Sequence, residues 1–170
     1  MSRPVLIGLD GRSGAGKTVL ADALAARLAP FARVRVLRIE SMYPGWDGLA
    51  AAVEESGPYP AAVRDLRAGG RAEWHTWDWH RGAPGPRARI GPADVVVCEG
   101  VGALSAAARP LLDLAVWLEL ETPARRERAL ARDGETFAPH WERWAAHEEA
   151  YLARHDPRAA ADLVVRLPSA

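Results

Sequence analysis

The sequence predicts an α/β fold of three layers, a parallel β-sheet flanked by helices, and three observations predict it. Short apolar runs rich in β-branched residues alternate with stretches of helical apolar spacing along the 170 residues, the pattern of a parallel sheet with crossover helices. The first run leads into Gly11-Arg12-Ser13-Gly14-Ala15-Gly16-Lys17-Thr18, which fits G-x-x-x-x-G-K-[ST] at every fixed position. Three predicted strands end in carboxylates, Asp10, Glu40 and Glu99, at the carboxyl edge where parallel sheets bind ligands. Together these define a three-layer P-loop NTPase fold.

Composition bounds the rest. The length suits one domain over residues 1–170, and 49% apolar with 26% charged residues is a globular composition. The 22 basic and 22 acidic residues cancel, which argues against nucleic acid or an anionic membrane as a bulk electrostatic partner. The single cysteine, Cys98, excludes an intrachain disulfide framework. No apolar stretch has the length of a membrane span and the start lacks a secretory pattern, so a cytoplasmic protein is expected. Lys17 is the only lysine; every other basic residue is arginine. Arginine cannot replace a compact ammonium in a tight space, so the one retained lysine itself points to a site.

The elements follow in order. Residues 4–9 read as a buried parallel strand. Residues 18–28 place Val19, Leu20, Ala23, Leu24 and Leu28 at helical spacing and stop before Pro30. Residues 34–39 alternate as a second strand. A turn-rich stretch, 43–48, precedes a helix at 49–55. Gly57, Pro58 and Pro60 break the chain before a helical piece at 61–68. Residues 71–81 hold Trp74, Trp77 and Trp79, and 82–86 read as a loop. Residues 94–100 and 114–120 are strands. Thr122 and Pro123 open an Arg-rich helix that breaks at Asp133 and Gly134. A helix over 139–154 and a strand over 162–167 complete the pattern.

Strand, glycine loop and helix in that order form a phosphate cradle. Gly11, Gly14 and Gly16 let the backbone approach a phosphate chain, and the loop and helix start, through Ser13, Ala15 and Val19, present N–H groups to it. Lys17 is expected to reach the β- and γ-phosphates and the Thr18 hydroxyl to ligate Mg²⁺, so ATP and Mg²⁺ are the expected cofactors. Glu99 is the acidic metal partner, directly or through water. Glu40 is placed to accept the proton of an acceptor hydroxyl, and Asp10 to brace the loop through backbone N–H bonds. Arg125, Arg128 and Arg132 share one helical face that can neutralise charge on a transferring phosphoryl group, a lid over about 122–138. The expected catalytic set is Lys17, Glu40, Arg128 and Arg132.

Trp46, Trp74, Trp77 and Trp79 crowd the segment that faces the acceptor. Trp77 and Trp79 share one side of any strand, with Asp78 on the other. Aromatic faces beside a carboxylate suit a nucleobase or sugar-like ring, and core packing suits the same tryptophans equally well. Trp46, Asp47, Trp77 and Asp78 are the acceptor-site candidates. Trp141, Trp144, Glu148 and Tyr151 form one helical stripe, read as a packed face. His140 and His147 are seven residues apart, too far for a two-ligand helical zinc site.

These motifs resemble the uridine kinase and phosphoribulokinase branch of P-loop kinases. Beside the glycine loop, Glu40-Ser41-Met42-Tyr43 is similar to that family's Asp-Ser-Phe-Tyr signature, Cys98-Glu99-Gly100 to its apolar-Glu-Gly strand end, and Arg128 to Asp133 to its lid. The resemblance implies a catalytic base at Glu40, a substrate-contacting tyrosine at Tyr43, a metal carboxylate at Glu99 and lid arginines at Arg128 and Arg132. It implies phosphoryl transfer from Mg·ATP to a hydroxyl of a nucleoside-like small molecule. Glu40 departs from the family's Asp by one methylene, and the segment between Tyr43 and Glu99 matches poorly. A nucleotide-binding switch acting through a protein partner, and a nucleoside monophosphate or other metabolite kinase, remain alternatives.

Overall fold

The computed structural model describes residues 3–168. β1 (Val5–Gly11) is the central strand of a five-stranded sheet. On one side it pairs with β5 (Val95–Glu99), which pairs in turn with β2 (Val34–Arg38). On the other it pairs with β6 (Leu114–Glu119), followed by β7 (Leu163–Arg166) at the edge. All four pairings are parallel, and the order is β2-β5-β1-β6-β7. The strand order reverses beside β1, so the crevice of a parallel sheet opens at the glycine loop.

Alternation along the strands divides the core. Leu6, Cys98, Val96, Leu37 and Ala115 face a large core shared with α2 (Leu49–Val53), α3 (Pro58–Gly69) and α5 (Trp141–His155). Leu9, Val97, Val116 and Leu118 face a smaller core capped by α1 (Lys17–Leu28) through Ala21. The three predicted layers are present. β7 leaves Leu163, Val164 and Val165 exposed at the sheet edge.

Three departures from the sequence reading have local causes. Residues 82–86 are not a loop: β3 (Ala72–Asp78) and β4 (Ala83–Ile90) form a separate antiparallel hairpin. Prolines disguise β4, but a two-stranded ribbon has an edge on each strand and tolerates their missing N–H groups; Pro86 still contributes its carbonyl, which accepts from Thr76 at 2.8 Å. α3 starts at Pro58 rather than after Pro60, because the first helical turn needs no N–H donors. Glu40 lies in a short 3₁₀ turn (Ile39–Met42) rather than at a strand exit.

α4 (Thr122–Phe137) carries the expected break as a kink at Gly134, whose φ of 53° and ψ of −135° lie outside the helical region. A side chain is strained there, so glycine is the residue that permits the turn. A 3₁₀ turn (Ala138–His140) then leads into α5.

Candidate active site

The glycine loop is held from behind by charged residues. At Gly14, an added Cβ would lie 2.0 Å from the Arg125 carbonyl oxygen, so only glycine lets the loop rest on the start of α4. Arg125 is buried. Its guanidinium donates to the carbonyls of Leu120 (3.0 Å) and Ser13 (3.2 Å) and to the Thr122 hydroxyl (2.9 Å). It therefore supports the loop and does not share an open face with Arg128 and Arg132.

Glu148 lies in the same layer, 1% exposed. One carboxylate oxygen accepts the Ser13 backbone N–H at 2.7 Å and the Trp144 indole N–H at 3.1 Å. The other accepts from Arg12 at 2.9 Å. Asp10, fully buried, accepts from the N–H groups of Gly11, Gly102 and Leu104 and from the Tyr151 hydroxyl. Burial raises its pKa, while the Tyr151 hydroxyl, the Leu104 and Gly11 N–H groups and the Lys17 charge pull it down.

Lys17 begins α1 beneath the loop, and its ammonium donates to the Arg12 carbonyl at 3.1 Å. Burial lowers its pKa against the opposing pull of Glu148, Asp10 and Glu99. The first-turn N–H groups of Lys17, Thr18 and Val19 lack intrahelical acceptors, as at any helix start, and form an anion-binding end. The Thr18 hydroxyl lies 3.3 and 3.4 Å from the two Glu99 oxygens. Arg38, bound also to Asp22, donates to Glu99 at 3.0 Å. Thr18 and Glu99 are adjacent oxygen donors, the chemistry that Mg²⁺ prefers.

A pocket opens beyond this cradle. Ser13, Gly14, Lys17 and Thr18 line one end, with Glu99 and Gly100; Glu40, Arg132 and Asp133 line its charged side. Tyr43, Trp46, Trp79, Phe137 and Trp144 line the far wall. Glu40 is on the rim, where water reaches it. Desolvation by the surrounding protein raises its pKa, Arg132 and Lys17 oppose that rise, and Asp133 and Glu99 add to it. Its open position limits the shift. Arg132 donates to Asp133 at 2.5–3.0 Å, and that pairing raises the guanidinium pKa.

The structure thus brings Ser13, Gly14, Lys17, Thr18, Glu40, Tyr43, Trp46, Glu99 and Arg132 into one pocket. Gly11 ends β1, Ala15 sits in the loop behind the pocket, Gly16 ends the loop, and the Val19 side chain points to solvent. Arg128 is exposed and does not line the pocket. Tyr43 lines it by its ring, but its hydroxyl is committed to the Val101 carbonyl at 2.6 Å.

Three acceptor candidates lie elsewhere. Asp47 pairs with Arg143 and His147 at the surface, and those bonds hold its carboxyl down at about 2. Asp78 accepts from the N–H groups of His80 and Arg81 and shapes the hairpin turn. Trp77 packs near Gly45. β3 ends at Asp78, so the alternation does not extend to Trp79, which lies beyond the strand and reaches the pocket in place of Trp77.

Asp133, the last residue of the lid motif, pairs with its neighbour Arg132 at the pocket, whereas sequence reasoning missed Arg38, Glu148 and Phe137 as parts of the site. Glu148 had a signal: a carboxylate in an aromatic helical stripe must find partners if that face is buried. The others had none, since their roles depend on long-range packing.

No family model matches the chain. A uridine kinase of Macrococcus caseolyticus is 26% identical over 146 residues, 78% of this chain and 70% of that protein. One from Staphylococcus epidermidis is 27% identical over 146 residues, with the same coverage of both chains. Among solved structures, a possible uridine kinase from Bacillus stearothermophilus superposes with a TM-score of 0.67 at 18% identity, over 97% of this chain and 90% of that one. A Silicibacter protein carrying the name of a fructose transport system kinase has a TM-score of 0.68 at 20% identity, over 99% and 91%. At these identities the structural likenesses speak to the fold.

Proposed function

We propose that this chain, a phosphotransferase related to the uridine kinases and built on the P-loop kinase fold, transfers the γ-phosphoryl group of ATP to a hydroxyl of a small nucleoside-like acceptor. The observation that carries this reading is the convergence of the glycine loop, Glu99, Glu40 and Arg132 on one pocket with an aromatic far wall.

In this reading the loop backbone and Lys17 bind the phosphate chain, with the helix start adding its partial positive charge. Thr18 and Glu99 would hold Mg²⁺, which neutralises charge on the phosphates when bound. The acceptor oxygen forms a bond to the γ-phosphorus as the bond from that phosphorus to the bridging oxygen breaks, and ADP carries away the electron pair. Glu40 takes the acceptor's proton and leans on Arg132 for its charge balance. Arg132 stabilises charge on the transferring group. The aromatic wall excludes water that would otherwise compete as acceptor.

The test is Mg²⁺-dependent ADP release across nucleosides, nucleoside monophosphates and sugars, with Lys17→Ala as the blank. ADP release that rises many-fold with one acceptor class and disappears in Glu40→Gln supports the reading. ATP consumption indifferent to every acceptor overturns it in favour of an ATPase or switch.

A further inference from the structure

Between the glycine loop and the aromatic wall stands one buried carboxylate that the phosphoryl-transfer scheme leaves unused. Glu148 projects from α5 and is 1% exposed. One of its oxygens is shared: it accepts the Ser13 backbone N–H at 2.7 Å and the Trp144 indole N–H at 3.1 Å. The other accepts from the Arg12 guanidinium at 2.9 Å and lies 4.0 Å from that of Arg125. Ser13, Arg12 and Arg125 belong to the glycine loop and its support, whereas Trp144 belongs to the pocket's aromatic side. Trp144 precedes Glu148 by one helical turn, so the two side chains share a face. Its ring lines the pocket, tilts against Tyr43 with centroids 5.0 Å apart, and meets Trp46 edge-on at 6.4 Å.

Burial makes this junction stiff. A carboxylate away from water keeps its charge only while cationic and N–H partners surround it, and hydrogen bonds in such surroundings polarise one another. If the Ser13 peptide shifts, the carboxylate must follow or leave a buried N–H unmade. The Trp144 indole N–H, bound to the same oxygen, then has to follow the carboxylate. The junction also reaches the phosphate end electrostatically: among the charged groups acting on the Lys17 ammonium, Glu148 pulls hardest. An anion entering the loop competes with Glu148 for that cation, and the change is felt at the oxygen that holds Trp144.

Resting on the kinase reading, we propose that Glu148 is a positioning residue that ties the aromatic side of the pocket to the occupancy of the glycine loop through Trp144. A filled loop sets the Trp144 ring, and through it Tyr43 and Trp46, for the second substrate. By linkage, a second substrate held there favours nucleotide on the loop. A role in packing alone would carry no such dependence.

The experiment follows the indole N–H resonances of full-length ¹⁵N-tryptophan-labelled protein. Those of Trp144 and Trp77 are assigned by their loss in Trp144→Phe and Trp77→Phe. ADP, and pyrophosphate as a probe without base or ribose, are titrated to saturation, with calorimetry fixing the end point and Lys17→Ala as the blank. The Trp144 resonance is expected to move saturably with both probes, while that of Trp77, on the hairpin, stays in place. In Glu148→Gln the shift at saturation should fall at least about fivefold, because the shared anionic acceptor is gone. This amplitude is independent of affinity, and a purely structural role would leave it intact. Saturation by either probe with an unmoved Trp144 resonance in the unsubstituted protein overturns the proposal, whether or not Glu148→Gln folds. A full-sized shift in folded Glu148→Gln overturns it too. ADP that fails to bind removes the nucleotide-binding premise and the proposal with it. ADP release indifferent to every acceptor would instead overturn the kinase reading alone, because the shift is measured without turnover.

Discussion

Glu40 and Arg132 influence each other's charge across the mouth of the pocket, and the chemistry tests them individually. Glu40→Gln should lower kcat by about 100-fold or more, the usual contribution of a positioned base. Its raised pKa sets the sign of the pH dependence. The base works when ionised, so acceptor turnover should fall as pH drops through a value above 4.5. A pH–rate profile of Glu40→Gln should lack that acid limb. For the arginines, Arg132→Ala should cost about 100-fold in kcat, whereas Arg128→Ala should change it by less than about threefold, because Arg128 is outside the pocket. Steady-state kinetics of the two variants, equal within error, would contradict that assignment. At this scale the sequence was legible wherever a motif was contiguous. Lys17 and Thr18 are legible because they are contiguous in the motif, and Asp10 and Glu99 because each closes an apolar strand whose carboxyl end faces the same crevice. Trp77 and Trp79 share one side only if the strand runs through both, and β3 ends at Asp78 between them, a boundary that leaves no mark in an alternating pattern.

Among the elements, α4 links the glycine loop to the aromatic wall. Its first turn is fixed under the glycine loop by Arg125, while its last turn, beyond the Gly134 kink, carries Phe137 into the aromatic wall. Gly134→Ala places a side chain at φ 53° and ψ −135°, a strain of about 1–3 kcal/mol. It should lower the thermal midpoint and raise the acceptor's KM more than that of ATP, because Phe137 and Asp133 shift while the loop does not. Calorimetry together with paired KM measurements checks both parts. The break at Gly134 was readable from an Asp-Gly pair inside a helical pattern. The β3–β4 hairpin was not, because Pro84 and Pro86 carry the usual signal of a loop. The start of α3 is obscured for the opposite reason: Pro58, a breaker inside a helix, is here its initiator.

For the molecule as a whole, the layered sheet is legible because β1, β5 and β6 are largely continuous apolar runs, β2 alternates, and each connection is long enough for a helix. Cys98 reports on that sheet as a unit. It lies in β5, fully buried beside β1 and β2, with its thiol pushed up to about 12 by desolvation. At pH 8 it should react with a disulfide reagent only through global opening, at least about 1,000-fold more slowly than in denaturant, given ordinary domain stabilities. Rapid labelling of the native protein would show that the sheet opens locally. The smaller core is the thinner half of the structure, with α1 over it and exposed apolar residues along β7, so stabilising substitutions belong there more than in the α2–α3–α5 layer.

Lys17 has a practical consequence beyond phosphate binding. To an amine-directed reagent the chain offers a single side-chain target, located beneath the glycine loop and bonded to the Arg12 carbonyl. Burial lowers its pKa and so enlarges the fraction present as free amine. Mass spectrometry of a lysine-selective label therefore counts vacant phosphate cradles one for one. Protection of that single adduct by a nucleotide would yield an occupancy curve without any assay of turnover, and without mutating the site being measured.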